Sequence, residues 1–388
     1  MESEPIIPIF AINFFTMQIG FDAKRAFWNN TGLGNYSRFL INGLAEFVND
    51  NTYFLYSPGL KAHSEMKDAL GRPNVHQVDL GSGLIGKAKR AIGFKYNKLN
   101  IFHGLSNELP FFAKNGKTKL IVSIHDLLFL RYPDFYPFLD RQIYLAKTKR
   151  ACSQADLIIA ISKQTKQDLI DFLNVPASKI KVHYQSCHPQ FLNSYSESQL
   201  AFVREKYGIL KPYILQVGTL ENRKNALLTI QAFAQSEAQK THQLVLVGKQ
   251  TAYCDELYEF AKKNTVSGRV KFIHQADFQD FPALYQSASL SVYPSLFEGF
   301  GIPILEAMCS GVPVITSQDG CFSEVGGDAV LYIDPKDALD FQLKIDHVLS
   351  DENFRQQLIA KGKTQAEKFS LKSLILELEE IYHQLLNT

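Results

Sequence analysis

The chain's shortages narrow its class first. No apolar run in its 388 residues approaches the roughly 20 needed to cross a bilayer as a helix, so no transmembrane span is expected. The 5 cysteines, Cys152, Cys187, Cys254, Cys309 and Cys321, contain no C-x-x-C pair, and their number is odd. That fits neither a disulfide framework nor a zinc knuckle, and a reducing, cytoplasmic setting is the simplest reading. Repeats and low-complexity tracts are missing. The opening MESEPIIPIFAINFFT has neither a positive leading region nor a small-residue cleavage site, so it is not a secretory signal.

What is present is ordinary for a globular protein: 46% hydrophobic and 21% charged residues. At about 150 residues per domain the length suggests two domains. Charge is uneven. Residues 1–195 carry 23 Lys/Arg against 15 Asp/Glu, a net +8, whereas 196–388 carry 18 against 24, a net −6. Either the first half faces something anionic, or two domains differ by chance.

Short apolar runs alternate with longer helical patterns. Strands are predicted at Gln18–Phe21, Thr52–Tyr56, Ile101–Phe102, Leu120–Ile124, Leu157–Ala160 and Lys181–Tyr184. A second series follows at Tyr213–Val217, Gln243–Val247, Val270–Ile273, Leu290–Tyr293, Val314–Thr316 and Val330–Ile333. Between them lie amphipathic helices such as Tyr36–Val48, Asp140–Gln154 and Lys163–Leu173, the last capped by Ser162. Near-continuous apolar strands separated by helices imply an α/β chain with parallel sheets covered on both faces. The expected organisation is two Rossmann-like, doubly wound domains facing a cleft. The first spans 17–195 and the second 196–370, with a closing helix, 371–388, crossing back to the first domain. Residues 1–16, ahead of the second methionine Met17, read as an extension outside the fold; a weak membrane-contacting segment is the alternative.

The most informative string is Pro294–Ser317, PSLFEGFGIPILEAMCSGVPVITS. Gly299 and Gly301 permit a sharp turn and a close backbone approach. Pro303 suits a helix's first turn, whose free N–H groups form an anion site. Glu298 and Glu306 bracket that site with hydrogen-bond acceptors for hydroxyl groups. Phosphate on amides and hydroxyls on carboxylates is the chemistry of a sugar nucleotide. Upstream, GTLENRKN (Gly218–Asn225) puts adjacent cations, Arg223 and Lys224, just past a strand end, where they can hold a diphosphate. NNTGLGNYSR (Asn29–Arg38) opens a helix with Gly32 and Gly34, but Ser37 stands where a dinucleotide fingerprint needs its third glycine. The second strand ends in Tyr56-Ser57 with no acid for a ribose, which argues against a nicotinamide dehydrogenase. HGLSNELP and SIHDLLFLRYP each place a histidine, His103 or His125, at a strand end.

The E-x7-E inside FEGFGIPILEAM, followed by GVPVITS, is similar to the family 4 (group 1) retaining glycosyltransferases of the GT-B fold. The histidine segments resemble a bacterial mannosyltransferase-like branch. The resemblance covers nearly the whole chain from Met17. It implies that Glu298 touches the donor sugar and Glu306 the ribose. The amides of Gly299, Phe300 and Gly301 would receive the sugar or its phosphate, and Gly218, Arg223 and Lys224 the diphosphate. Gly32 and Gly34 would belong to a loop closing over the pyrophosphate. His125 would lie near the reacting carbon, with His103 and Asp126 on the acceptor side. Many members carry arginine directly after the glycine at 218, where this chain has Thr219; Arg223 compensates in this reading. Glu324 in SEVGGDAVLYIDP is expected to be structural.

The implied activity is metal-independent hexosyl transfer, mannose-like, from a nucleoside-diphosphate sugar to a hydroxyl acceptor, with no covalent intermediate and the leaving phosphate taking the acceptor proton. Saccharide or polyprenyl-linked acceptors in cell-surface polysaccharide or lipopolysaccharide synthesis would fit. Other GT-B enzymes (a phosphorylase or epimerase) or a non-catalytic sugar-nucleotide binder are the alternatives. No D-x-D occurs to hold a metal on the donor. No cofactor and no nucleic-acid partner are expected. Residues 84–98, within a stretch holding Lys87, Lys89, Arg90, Lys95 and Lys98 and no acid, can be a basic amphipathic face for the inner leaflet or a solvated segment.

Overall fold

The structure is a computed structural model that describes residues 16–61, 63–92, 98–110, 117–210 and 212–388. Residues 1–15, most of the expected N-terminal extension, lie outside the described residues.

Two parallel sheets carry the fold. The first has β1 (Gln18–Asp22), β2 (Thr52–Ser57), β3 (Val75–Asp79), β4 (Ile101–Gly104), β5 (Lys119–Ile124), β6 (Leu157–Ala160) and β7 (Ile180–Val182), in the order β3-β2-β1-β4-β5-β6-β7. The second has β8 (Tyr213–Val217), β9 (Gln243–Val247), β10 (Val270–Ile273), β11 (Leu290–Tyr293), β12 (Val314–Ser317) and β13 (Leu331–Ile333), in the order β10-β9-β8-β11-β12-β13. Both orders run outward from the first strand and then reverse, which is the doubly wound pattern of the GT-B fold's Rossmann-like domains. β4, β6, β11 and β12 are buried at every position, as strands covered by helices on both faces must be.

The chain divides into two compact units. One holds the described residues up to Val122 together with Gln154–Leu157 and Ile375–Thr388; the other holds Ser123–Ser153 and Ile158–Leu374. In the first unit, the closing helix Leu371–Leu386 sends Tyr382 against His103, with 2.7 Å between Tyr382 Oη and His103 Nδ1. In the second, Ile214, Leu246, Val292 and Ile315 from four strands pack with Phe233 and Phe341 from the covering helices. The Lys163–Leu173 helix starts where expected: Ser162 Oγ accepts the Thr165 N–H at 3.0 Å. β3 is an element the sequence patterns did not single out. The stretch read as a basic amphipathic face is helical over Gly83–Ile92, and residues 93–97 lie outside the described residues.

Candidate active site

In a doubly wound sheet, ligands sit beyond the carboxyl ends of the strands where the order reverses. In the second sheet that point lies between β8 and β11, which pair directly, Leu290 with Ile214 and Ser291 with Leu215. The chain leaves β8 through Gly218–Asn225 and β11 through Pro294–Gly301. The Leu296 N–H donates to the Arg223 carbonyl at 2.9 Å, stitching the two loops together.

Three expected residues therefore converge. One oxygen of Glu298, Oε1, lies 2.5 Å from Lys224 Nζ, 2.6 Å from Arg223 Nη1 and 2.7 Å from Ser295 Oγ. Arg223 also donates to the Phe297 carbonyl (2.8 Å) and to Glu221 (2.7 Å), so its guanidinium is fixed at both ends. Lys224 Nζ donates to Tyr293 Oη at 2.6 Å and sits 4.9 Å from the Tyr293 ring centroid. Burial alone would raise the Glu298 carboxyl, but Lys224 and Arg223 outweigh it and hold it down at about 2. Burial pulls the Lys224 ammonium below its ordinary value against the attraction of Glu298. Arg223 and Lys224 face two carboxylates, Glu298 and the more exposed Glu221, so the cluster is close to neutral overall. Two adjacent, largely buried cations still suit a diphosphate and the charge that grows on it as a glycosidic bond breaks.

Beside the cluster the Ile302–Cys309 helix begins. Gly301, its N-cap, has φ +107°, a conformation that favours glycine. Among the described residues the N–H groups of Gly299, Phe300 and Gly301 have no protein acceptor, and they lie where the helix dipole favours an anion. The Phe300 ring is buried against Tyr184 and Phe369 (centroids 5.9 and 5.7 Å), so what Phe300 can offer a ligand is its N–H. Two turns on, Glu306 stands half-buried with Tyr285 Oη donating to its Oε2 at 3.1 Å. Among the described residues no cation offsets its burial, and its carboxyl is pushed up to about 7.

His125 and Asp126 follow β5. His125 is buried, and its carbonyl accepts from Thr165 Oγ1 at 3.1 Å. A Cβ on Gly299 would fall 2.2 Å from that carbonyl oxygen, so the Glu298 loop and the His125 backbone are at closest approach. Burial raises the Asp126 carboxyl, opposed by the Leu128 N–H and by Arg223. Asp126 thus shares an electrostatic environment with the cation cluster.

Other expected residues stand apart. His103 is buried in the first unit at its contact with Tyr382. Gly32 and Gly34 open the Gly32–Phe47 helix in that unit, where Asn29 Oδ1 accepts from Thr31 (2.9 Å) and Gly34 (3.1 Å). Gly218 follows β8, its N–H donating to the Val247 carbonyl at 2.9 Å. Glu324 accepts the Lys163 and Gln164 N–H groups at 2.7 and 3.0 Å, capping a helix as its structural reading implies. Sequence reasoning missed Tyr285, Tyr293 and Ser295, because hydroxyls inside a helix, a strand and a loop carry no motif of their own. It also missed Arg131, which pairs with Asp168 and lies 5.1 Å from the Phe297 ring centroid.

Comparison with known proteins decides the family. The description "Glycosyl transferases group 1" matches residues 201–365, and "Glycosyltransferase Family 4" matches 32–189. O-antigen chain mannosyltransferase B of Escherichia coli is 31% identical over 291 residues, 74% of this chain and 75% of that protein. The chain belongs to the group 1 glycosyltransferases. This glycosyltransferase is also 29% identical to O-antigen chain mannosyltransferase RfbU of Salmonella typhimurium over 58% of its own length and 60% of RfbU. A match to the serotype-specific mannosyltransferase WbdA of Escherichia coli, again 29% identical, spans 34% of that longer protein. Among solved structures, Anabaena HepE in complex with UDP and glucose superposes with a TM-score of 0.71 at 19% identity, covering 95% of this chain and 100% of HepE. WaaG, a glycosyltransferase involved in lipopolysaccharide biosynthesis, gives 0.68 at 16% identity, covering 94% of this chain and 99% of WaaG. These likenesses show the GT-B fold.

Proposed function

We propose that this glycosyltransferase moves a mannose-like hexose from a nucleoside-diphosphate sugar to a hydroxyl acceptor, with retention, in cell-surface polysaccharide or lipopolysaccharide synthesis. The carrying observation is the Glu298–Lys224–Arg223 cluster next to the unpaired amides of Gly299, Phe300 and Gly301. The likeness to O-antigen mannosyltransferases supports the choice of sugar and product class.

In this reading the amides and the two cations take the diphosphate. Glu298 orients the sugar hydroxyls, and Glu306 takes the ribose. A carboxylate held at about 2 stays ionised throughout the working range, so Glu298 accepts hydrogen bonds and does not act as a general acid. The leaving phosphate takes the acceptor proton on the same face of the sugar. Catalysis then consists of positioning and stabilising charge on the diphosphate. Arg223 and Lys224 carry the charge a divalent ion would otherwise supply, so neither metal nor cofactor is required.

His125, closest to Gly299, lies near the reacting carbon, and Asp126 serves the acceptor. The acceptor is a saccharide or a polyprenyl-linked saccharide, met on the cytoplasmic face of the membrane. Exposed Leu84 and Ile85 with exposed Lys89 on the Gly83–Ile92 helix support peripheral contact with anionic lipid. Among the described residues no helix is long and apolar enough to cross a membrane.

The test is a transfer assay with GDP-mannose, UDP-glucose and dTDP-sugars on lipid-linked saccharide extracts, with the new anomeric centre read by NMR. An α-linked product from an α-linked donor is the expected result. Donor binding without transfer to any acceptor would sink it.

A further inference from the structure

The two glutamates of the E-x7-E string are held in opposite ways. Glu298 shares one oxygen between two cations and a serine hydroxyl, whereas Glu306 has no cation partner among the described residues. Among the described residues, the side chain that hydrogen-bonds Glu306 is that of Tyr285, with Oη to Oε2 at 3.1 Å. Tyr285 is fully buried on the Phe281–Gln286 helix, and Phe191 packs edge-on to its ring with centroids 5.8 Å apart. A phenol held this rigidly presents its hydroxyl from one direction.

We infer that Tyr285 is a positioning residue of the donor site: its hydroxyl fixes Oε2 of Glu306 and leaves Oε1 to accept from the ribose hydroxyls of the nucleotide. The inference rests on the reading that Glu306 takes the ribose. Ionised, the carboxylate is acceptor-only; protonated, it would spend one oxygen as a donor. Burial raises the Glu306 carboxyl to about 7 and the Tyr285 hydrogen bond pulls it down, so the phenol keeps the ionised form populated at neutral pH. Among the described residues the other titratable groups that bear on it are thiols and phenols: Cys187 from the loop after β7, Cys309 on its own helix, and Tyr293, which interacts electrostatically with Tyr285. Lys363 approaches the far end of the helix at Gly311, and Glu324 on the Phe322–Gly326 helix is committed to the Lys163 and Gln164 amides. Neither takes over the role of the phenol.

The experiment is calorimetric titration of the full chain with GDP, UDP and ADP at pH 6.5, 7.5 and 9.0, for wild type, Tyr285→Phe and Glu306→Gln. Phenylalanine keeps the buried ring and removes one hydroxyl, and thermal melting checks that the fold is intact. Loss of a hydrogen bond to a charged group is expected to weaken the nucleotide that binds wild type about tenfold near neutrality. The gap should narrow at pH 9.0, where Glu306 is ionised in both proteins. A loss of equal size at all three pH values marks a merely structural role and overturns the inference. So does unchanged affinity in Tyr285→Phe when Glu306→Gln is weakened. Wild-type affinity in Glu306→Gln, or no binding of any nucleotide, would overturn the ribose reading itself.

Discussion

Lys224 Nζ lies 2.5 Å from Glu298 Oε1, and both groups are largely buried. Breaking one side of such a pair strands a charge, at a cost of about 3 kcal/mol, the low end of the usual range because Arg223 still faces the carboxylate. Lys224→Ala is expected to melt well below wild type and to lose nucleoside-diphosphate release from the donor. The double variant Lys224→Ala/Glu298→Ala should regain part of the stability and none of the turnover. Calorimetric melts of the four proteins check this, and strictly additive losses would mean the pair is not coupled.

Nucleotide-free Glu306→Gln should be more stable than wild type at pH 8. A carboxyl at about 7 in the folded chain keeps its proton where the unfolded chain, near 4.5, has released it. Folding is therefore penalised as pH rises between those values, by up to about 3 kcal/mol above pH 7. Glutamine removes the penalty. The difference in melting temperature should disappear below pH 4.5 and grow toward pH 8; the reverse trend would contradict the assignment. Glu298 behaves oppositely. Its carboxyl at about 2 contributes stability that is complete above pH 4.5 and lost as pH falls toward 2.

Removing the Glu324 carboxylate should cost stability and spare nucleotide binding. Glu324→Ala leaves the Lys163 and Gln164 N–H groups without their acceptor, about 1 kcal/mol for a helix cap. A lower melting temperature with nucleotide affinity within about twofold of wild type is expected. A large loss of affinity would place Glu324 in the donor site.

Turnover should persist in excess EDTA if Arg223 and Lys224 supply the charge that a metal would otherwise bring. Complete loss, restored by added manganese, would overturn this.

Anionic vesicles should capture the protein at low salt and release it at high salt. Each cation near the surface contributes about 1 kcal/mol, and screening confines the effect to about 8 Å at physiological ionic strength. Replacing Lys87, Lys89, Arg90, Lys95 and Lys98 with Gln should abolish flotation. Equal recovery of both proteins would point to a soluble acceptor.

Much of this was legible in the sequence, for one physical reason. Buried parallel strands such as LIIA and LSVY must be mostly apolar, and loops at their ends must carry the turn residues and charges that mark them. β3 escaped because VHQVD lies at the sheet edge with one fully buried position and no apolar run. Glu298 and Glu306 were legible because both stand in one string, and Lys224 because it adjoins a glycine turn. Tyr285 was not: its contact with Glu306 spans 21 residues and joins two helices. The opposite shifts of the two carboxyls were also invisible, since they depend on which cations folding brings near.

The 2.2 Å clearance between a would-be Cβ at position 299 and the His125 carbonyl makes Gly299 a gauge for the site. No chemistry resides in its side chain, yet a single methyl there would drive the loop bearing Glu298 away from the end of β5. Reacting groups tolerate misplacement on the order of 1 Å poorly. In a saturation scan position 299 should therefore be as unforgiving as the charged residues around it, because the spacing between them is recorded in an atom the chain leaves out.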